Sequence, residues 1–170
     1  MASAVDNKII MAWSKCTIEV GDTPDDDSIA TDLTDLGYVK DRSTTLTSEE
    51  GETLEMKASG GETVGYEKQE GSFVLTTRII EPTDAIYTMF GLGSVDSSDS
   101  SMFNVKTHIC PNTMTIKVTP KNLGAKGIIA PKCSISVSPG WSEEDGNYLD
   151  LTAGVLHGAQ DYWYKRFTTK

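Results

Sequence analysis

The segment Thr113–Asn147, TMTIKVTPKNLGAKGIIAPKCSISVSPGWSEEDGN, contains two runs in which apolar and polar side chains alternate. The apolar positions of the two runs are Met114, Ile116, Val118, Cys133, Ile135 and Val137. A period of two residues is that of a β-strand with one buried face. The segment therefore predicts two half-buried strands, separated by the turn-forming residues between them.

The same pattern recurs along the chain. Strands are predicted at CTIEV (Cys16–Val20), SFVLTTRII (Ser72–Ile80) and DYWYKRFT (Asp161–Thr168). Breakers such as GDTPDDDS, PKNLGAKG and SPGWSEEDGN lie between the runs, and short strands punctuated in this way are typical of sandwiches and barrels. We predict a mainly β fold, an antiparallel β-sandwich or small β-barrel, in a single domain spanning residues 1–170.

One short α-helix is predicted at about residues 82–90, within EPTDAIYTMFGLG. Pro82 suits the first helical position, and Asp84 adds negative charge to the first turn. Gly91 or Gly93 can end the helix. The side chains expected to share one face and pack against the sheet are Ile86, Met89 and Phe90.

The overall charge and the cysteine count restrict the functional class. The chain has 25 acidic and 15 basic side chains, a formal net charge of −10, which argues against a nucleic-acid clamp. Its three cysteines, Cys16, Cys110 and Cys133, fit reduced thiols better than a disulfide framework. The start MASAVDNKIIMAWSK lacks a secretory pattern, and no long apolar run follows, so we expect a chain kept inside a cell and away from membranes.

Two segments look too polar to pack into the core, and a third segment lies at the start of the chain. Residues 48–71 are expected to form a long polar loop or a hairpin extension, and residues 93–101 a Ser/Asp linker. Residues 1–13 are expected to form an N-terminal arm. Long polar loops in compact domains are often used for binding.

No catalytic or metal-binding motif stands out. His108 and Cys110 would share one face of a strand as half of a zinc site, but no CxxC or HxxxH accompanies them. DTPDDDS lacks EF-hand spacing, GGETVGYE has Tyr66 where a phosphate loop requires Lys, and GLGSVD lacks the third glycine of GxGxxG. We expect no enzyme activity, no metal and no cofactor.

Two long segments resemble a known family. The segment Asp32–Gly91, which includes LTDLGYVKDRSTTLTSEEGETLEM, is similar to the core of tailed-phage tail tube proteins. In both, a Leu-Gly turn leads into a strand, and an acidic strand end, a polar extension, a long strand and a short helix follow. Residues 113–158 resemble the later strands of that family, including the acidic hairpin. The likeness covers most of residues 14–168 and lies in the order and character of the elements, not in a signature motif.

The resemblance implies a subunit of a phage tail tube or of the inner tube of a contractile injection system. Six copies would form a ring, and stacked rings a conduit through which DNA passes during infection. The partners that the resemblance implies are other copies of the same chain and the tape measure, tail tip and terminator proteins. It also implies that the protein is located in the virion tail and is made in the host bacterial cytoplasm. The family has no catalytic residues.

Contact candidates follow from the polar segment and from the aromatic C-terminal run. The expected inter-ring or inter-subunit contact residues are Glu49, Glu50, Glu52, Glu62, Tyr66, Glu67, Lys68, Trp163 and Tyr164. For the C-terminal run, a last core strand remains the alternative to an interface.

A different functional class is also compatible with the sequence. A β-sandwich of this size can be a carbohydrate-binding module, and Trp13, Trp141 and Trp163 would then supply a stacking platform for sugar rings.

Overall fold

The computed structural model describes residues 15–170, so the predicted N-terminal arm, residues 1–13, lies outside the described residues. The elements are β1 (Cys16–Asp22), β2 (Thr34–Asp35), β3 (Tyr38–Val39), β4 (Thr45–Glu49), β5 (Thr53–Lys57), β6 (Thr63–Lys68), β7 (Ser72–Ile80), α1 (Asp84–Met89), β8 (Gly93–Val95), β9 (Phe103–Val105), β10 (Asn112–Pro120), β11 (Lys126–Ser142), β12 (Gly146–Val155) and β13 (Lys165–Thr168).

Nine of the strands form one antiparallel sheet that curls into a half-barrel. Its strand order is β2-β1-β10-β11-β12-β7-β3, with β13 paired to β11 and β4 paired to β7. The strands of the second half of the chain, β10, β11 and β12, form the centre of the sheet, and strands of the first half flank them, because β1 pairs with β10 and β7 pairs with β12. The prediction of a mainly β antiparallel fold with one short helix is confirmed.

The core fills the inside of the curl. Alternate residues of the long strands are buried there, and the central ones are Ile18, Val20, Leu75, Ile79, Ile116, Ile135, Leu149 and Leu151. Burying each such side chain contributes about 1.5–3 kcal/mol, so the period-two pattern specifies which face of each strand turns inward.

Helix α1 closes one end of the core. Ile86 and Phe90 are buried and Met89 is half-buried against the same cluster. Thr83 is the N-cap residue, so Pro82 precedes the cap instead of opening the helix as expected. The backbone of Gly91 has φ +69°, and the N–H of Leu92 donates to the carbonyl of Tyr87 at 2.9 Å, which ends the helix in a Schellman motif.

The segment expected to be a Ser/Asp linker, residues 93–101, is instead the first strand and the tip of the β8–β9 hairpin. Asp96 organises the tip, because its carboxylate accepts the backbone N–H of Ser98 at 2.8 Å and the side-chain amide of Asn104 at 2.9 Å. Hydrogen bonds from Ser98 and Asn104 hold the pKa of Asp96 well below its ordinary value. The tip of this hairpin is therefore ordered by hydrogen bonds from short polar side chains to nearby backbone, and not by burial of apolar side chains.

Strand β11 continues through Ser138–Ser142, where the sequence favoured a break. Pro139 is tolerated because, in the part of the chain that the structure describes, only β12 pairs with this half of β11. A proline without an N–H can occupy such an edge.

Candidate self-assembly surfaces

The two pairs β4–β7 and β5–β6 form one long antiparallel ribbon. Glu49 lies opposite Ser72 in the first pair and Thr53 opposite Lys68 in the second, so the alignment of the two strands is unchanged across the interruption between the pairs. The N–H of Gln69 donates to the carbonyl of Glu52 at 2.8 Å within that interruption. We call residues 50–71 the arm.

A glycine lies on each strand where the arm leaves the half-barrel. A Cβ atom added at Gly51 would lie 2.1 Å from the carbonyl oxygen of Gln69, and one added at Gly71 would lie 2.2 Å from that of Glu49. No side chain fits at those distances. The two glycines therefore let the strands approach closely at the root of the arm.

The arm exposes large apolar side chains. Met56 is 70% and Tyr66 is 71% exposed, and Leu54 and Val64 are exposed as well. Within residues 15–170, β5 and β6 pack on each other and make no substantial contact with any other element. Leu54 and Met56 share one face of the ribbon, whereas Tyr66, opposite Glu55, lies on the other face. A two-stranded hairpin on its own is only marginally stable in water, so these exposed faces favour contact with a partner.

The arm is also strongly acidic. It holds six glutamates and two lysines, a net charge of −4 out of −10 for the chain. Lys68 pairs with Glu50 at 2.9 Å, and this hydrogen bond lowers the pKa of Glu50. Lys57 pairs with Glu55 at 3.5 Å. Glu52, Glu62, Glu67 and Glu70 form no ion pair with any residue in the 15–170 range.

The predicted contact residues separate into two groups. Six of them lie on the arm and one, Glu49, lies at its root: Glu49, Glu50, Glu52, Glu62, Tyr66, Glu67 and Lys68. Trp163 and Tyr164 are half-buried instead, with their ring centroids 6.0 and 5.3 Å from that of Phe73. They therefore pack close to the point where the arm joins the half-barrel, because Phe73 is the second residue of β7 and the arm ends at residue 71.

Sequence reasoning named Tyr66 as a contact candidate but missed the other apolar residues of the arm, Leu54, Met56 and Val64. Leu54 and Met56 alternate with polar neighbours in TLEM, and Val64 and Tyr66 do so in TVGYE. That alternation was the available signal, but the surrounding glutamates and glycines concealed it.

A second surface lies where the half-barrel stays open between β1 and the β3–β4 side. There the Cys16 Sγ and Thr44 Oγ1 atoms lie 3.6 Å apart, and a groove of about 630 Å³ opens beside them. Its apolar floor is formed by Val39, Leu46, Leu75, Val118 and Ile128. Among the described residues, its rim carries Lys15, Lys40, Arg42 and Lys126 and one carboxylate, that of Asp41. We call this the basic groove.

The cations of the rim differ in their partners. Lys40 is held by Asp145 at 2.8 Å, and this hydrogen bond raises its pKa. Lys15, Arg42 and Lys126 are exposed. Arg42 lies 3.5 Å from Asp41 with both side chains about nine-tenths exposed, a geometry that contributes little to stability.

The residues considered for metal binding are not assembled into a site. His108 and Cys110 are exposed in an irregular segment before β10, so the strand expected there is absent. Asp27 pairs with Lys132 at 2.9 Å and accepts the N–H of Ala159 at 3.0 Å. No group of three metal-ligating side chains occurs in residues 15–170.

The tryptophans do not form a common platform. Trp141 is 67% exposed beside the β11–β12 turn. Trp163 packs at the other end of β12, with its ring centroid 5.5 Å from that of His157. Trp13 lies outside the described residues.

Neither the protein-family models nor the curated proteins contain a match to this chain. Among residues 15–170 no helix has the length and apolar character to cross a bilayer.

Proposed function

We propose that this protein is the structural subunit of a phage tail tube, in which rings of six copies stack into a conduit for DNA. The proposal rests on the arm, which is acidic and also exposes large apolar side chains. Partners are other copies of the chain and the tape measure, tail tip and terminator proteins of the virion tail.

The arm supports self-assembly because, among residues 15–170, its two strands pair only with each other and no other element covers them. Met56 and Tyr66 expose about 70% of their surface on a ribbon that the half-barrel does not cover. A contact between the arm and a different surface of another copy is heterologous, and such contacts close into rings or continue as open helical assemblies.

The net charge supports a conduit rather than a DNA-binding surface. A chain of net charge −10 repels a polyanion, so DNA passing along a wall of such subunits is not retained. The protein then needs no catalytic group, cofactor or metal for its function.

The test replaces the arm with a two-residue turn. Glu49 and Ser72 lie directly opposite each other, so an Asn-Gly turn in place of residues 50–71 closes β4 and β7 into an ordinary hairpin. We expect the full chain to form rings or tubes with a central hole in negative-stain electron microscopy. The shortened chain should stay folded and monomeric.

The matched control keeps the arm and changes an exposed apolar residue elsewhere. Leu123→Ser alters a side chain that is 73% exposed near the β10–β11 turn, and it should assemble like the parent. Tubes formed by the shortened chain would show that the arm is not required. A parent chain that forms neither rings nor tubes at any concentration would overturn the proposal.

A carbohydrate-binding module remains a second candidate, favoured by the exposed indole of Trp141. Under that function Trp141→Ala abolishes retention on a glycan array, and tube formation is never observed. Under the tube function the same variant assembles normally and the parent binds no glycan.

A further inference from the structure

The arm and the basic groove are complementary in two independent properties. The arm presents exposed apolar side chains with four glutamates that have no ion-pair partner among residues 15–170. The basic groove has an apolar floor and three exposed cations, on a protein that is otherwise acidic. Burial of apolar surface supplies affinity, and opposite charge supplies specificity and orientation.

The arm does not reach the basic groove of its own subunit. Strands β4 and β7 pair with the same register at Glu49–Ser72 as strands β5 and β6 do at Thr53–Lys68. The arm therefore extends the ribbon away from the half-barrel instead of folding back on it. Leu46 and Leu75, which line the groove, lie opposite each other in the part of the same ribbon that belongs to the half-barrel. An arm that entered this groove would have to break the ribbon from which it grows.

We propose that the arm of one copy docks in the basic groove of a second copy. Apolar side chains of the arm cover the floor formed by Val39, Leu46 and Ile128. The glutamates of the arm pair with Lys15, Arg42 and Lys126 on the rim. This inference rests on the proposed self-assembly and names the two surfaces that meet in it.

The size of the groove suits this occupant. A volume of about 630 Å³ lies within the range of about 300–1,000 Å³ typical of sites that enclose compact ligands. It accommodates a few side chains of the arm and leaves the rest of the ribbon to lie over the rim.

Charge reversal on each surface tests the docking. The groove variant carries Lys15→Glu, Arg42→Glu and Lys126→Glu, and the arm variant carries Glu52→Lys, Glu62→Lys and Glu67→Lys. All six side chains are exposed, so both variants should fold, and circular dichroism checks this. Sedimentation velocity should show each variant alone associating about tenfold or more weakly than the parent, because like charges then face each other.

Mixing the two variants is the decisive measurement. The acidic groove of one variant meets the basic arm of the other, so the mixture should recover association that neither variant shows alone. The control variant carries Lys106→Glu, Lys165→Glu and Lys170→Glu, which change the net charge by the same amount as in the groove variant, on exposed residues that do not line the groove. It should associate like the parent, because its arm and groove are both unchanged.

The outcomes separate this inference from the proposed function. The docking would be overturned, and the tube proposal left intact, by either of two results. One is that the groove variant alone forms rings or tubes, and the other is that mixing the two variants does not restore association. If the mixture regains association but electron microscopy shows only open chains of subunits, the docking is supported and the tube proposal is overturned. A parent that stays monomeric up to about 1 mM overturns both, since it excludes useful self-affinity.

Discussion

Asp145 is the residue that ties the β11–β12 turn to two neighbouring strands. Its carboxylate lies 2.8 Å from Lys40 Nζ and 2.8 Å from Arg78 Nη1, and its side chain is only 7% exposed. Arg78 also pairs with Asp150 at 2.7 Å and stacks 3.9 Å from the ring centroid of Tyr148. Removing any one partner leaves the other charges poorly compensated.

The pH dependence of stability tests this arrangement. Hydrogen bonds from Lys40 and then Arg78 lower the pKa of Asp145, so its stabilising contribution is complete above its unfolded pKa, near the ordinary 3.8, and is lost as pH falls through the folded pKa. Asp145→Asn should therefore be less stable than the parent at pH 7. Its free energy of unfolding should fall less steeply between about pH 5 and pH 2 in urea titrations.

Asp41→Asn is the matched control, because that carboxylate is 89% exposed. It should leave both the stability and the acid slope close to those of the parent. An Asp145→Asn variant with an unchanged acid slope would show that the carboxylate does not hold the turn.

Cys110 and Cys133 should differ sharply in reactivity. Cys133 is fully buried in the core, and burial raises the pKa of its thiol to about 12, whereas Cys110 is exposed. Because the thiolate is the reactive form, a thiol reagent at pH 8 should label Cys110 within the mixing time and Cys133 only on unfolding. Cys110→Ser should remove the fast phase. Fast labelling of Cys133 in the native protein would contradict the assigned core.

At the scale of elements, the sequence specifies the strands whose inner face is buried. The runs at Cys16–Val20 and Cys133–Val137 were predictable because burial on one side of a sheet imposes a period of two. The end of the helix was also predictable, since Gly91 needs positive φ. Strands β2 and β3 have two residues each, which is too short for any period to be visible.

The candidate surfaces were harder to predict than the fold. The polar segment was recognised, but the ribbon depends on an alignment between residues about 20 apart that composition does not encode. The basic groove joins Lys15, Arg42 and Lys126, which are brought together only by the curl of the sheet. Such a site has no local sequence signal.

Strand β13 should be a structural element rather than a removable tail. It pairs with β11 over Lys126–Ile129, and the residues before it pack on Phe73. Truncation after Gln160 should lower the free energy of unfolding by about 3 kcal/mol or more, the scale of losing one large aromatic side chain from a core. Thermal unfolding followed by circular dichroism measures this.

Truncation after Thr169 is the control, because it removes only the exposed Lys170 and keeps the hydrogen bond from the Thr169 N–H to the carbonyl of Ala125 at 2.9 Å. Its unfolding midpoint should match that of the parent. A chain ending at Gln160 that unfolds at the parent's midpoint would show that β13 adds nothing to the sheet.

The whole molecule combines a sheet that should unfold as one unit with an arm that depends on a neighbour. Strands β1 and β10, like β7 and β12, join the two halves of the chain, so neither half completes a core alone. Within residues 15–170, the substantial contacts of β5 and β6 are those that the two strands make with each other. Regions with little buried apolar contact open at low free energy, whereas central strands open only with the whole domain.

Hydrogen exchange should therefore distinguish the two parts and report assembly. In the monomer, amides of β10, β11 and β12 should exchange only through global unfolding, and amides of β5 and β6 should exchange orders of magnitude faster. In assembled protein the arm amides should become protected, because docking covers the face that carries Leu54 and Met56, while those of the β8–β9 hairpin should not change. An arm already as protected in the monomer as β11 would mean that it is stable without a partner, and the reason for assigning it to a neighbouring copy would disappear.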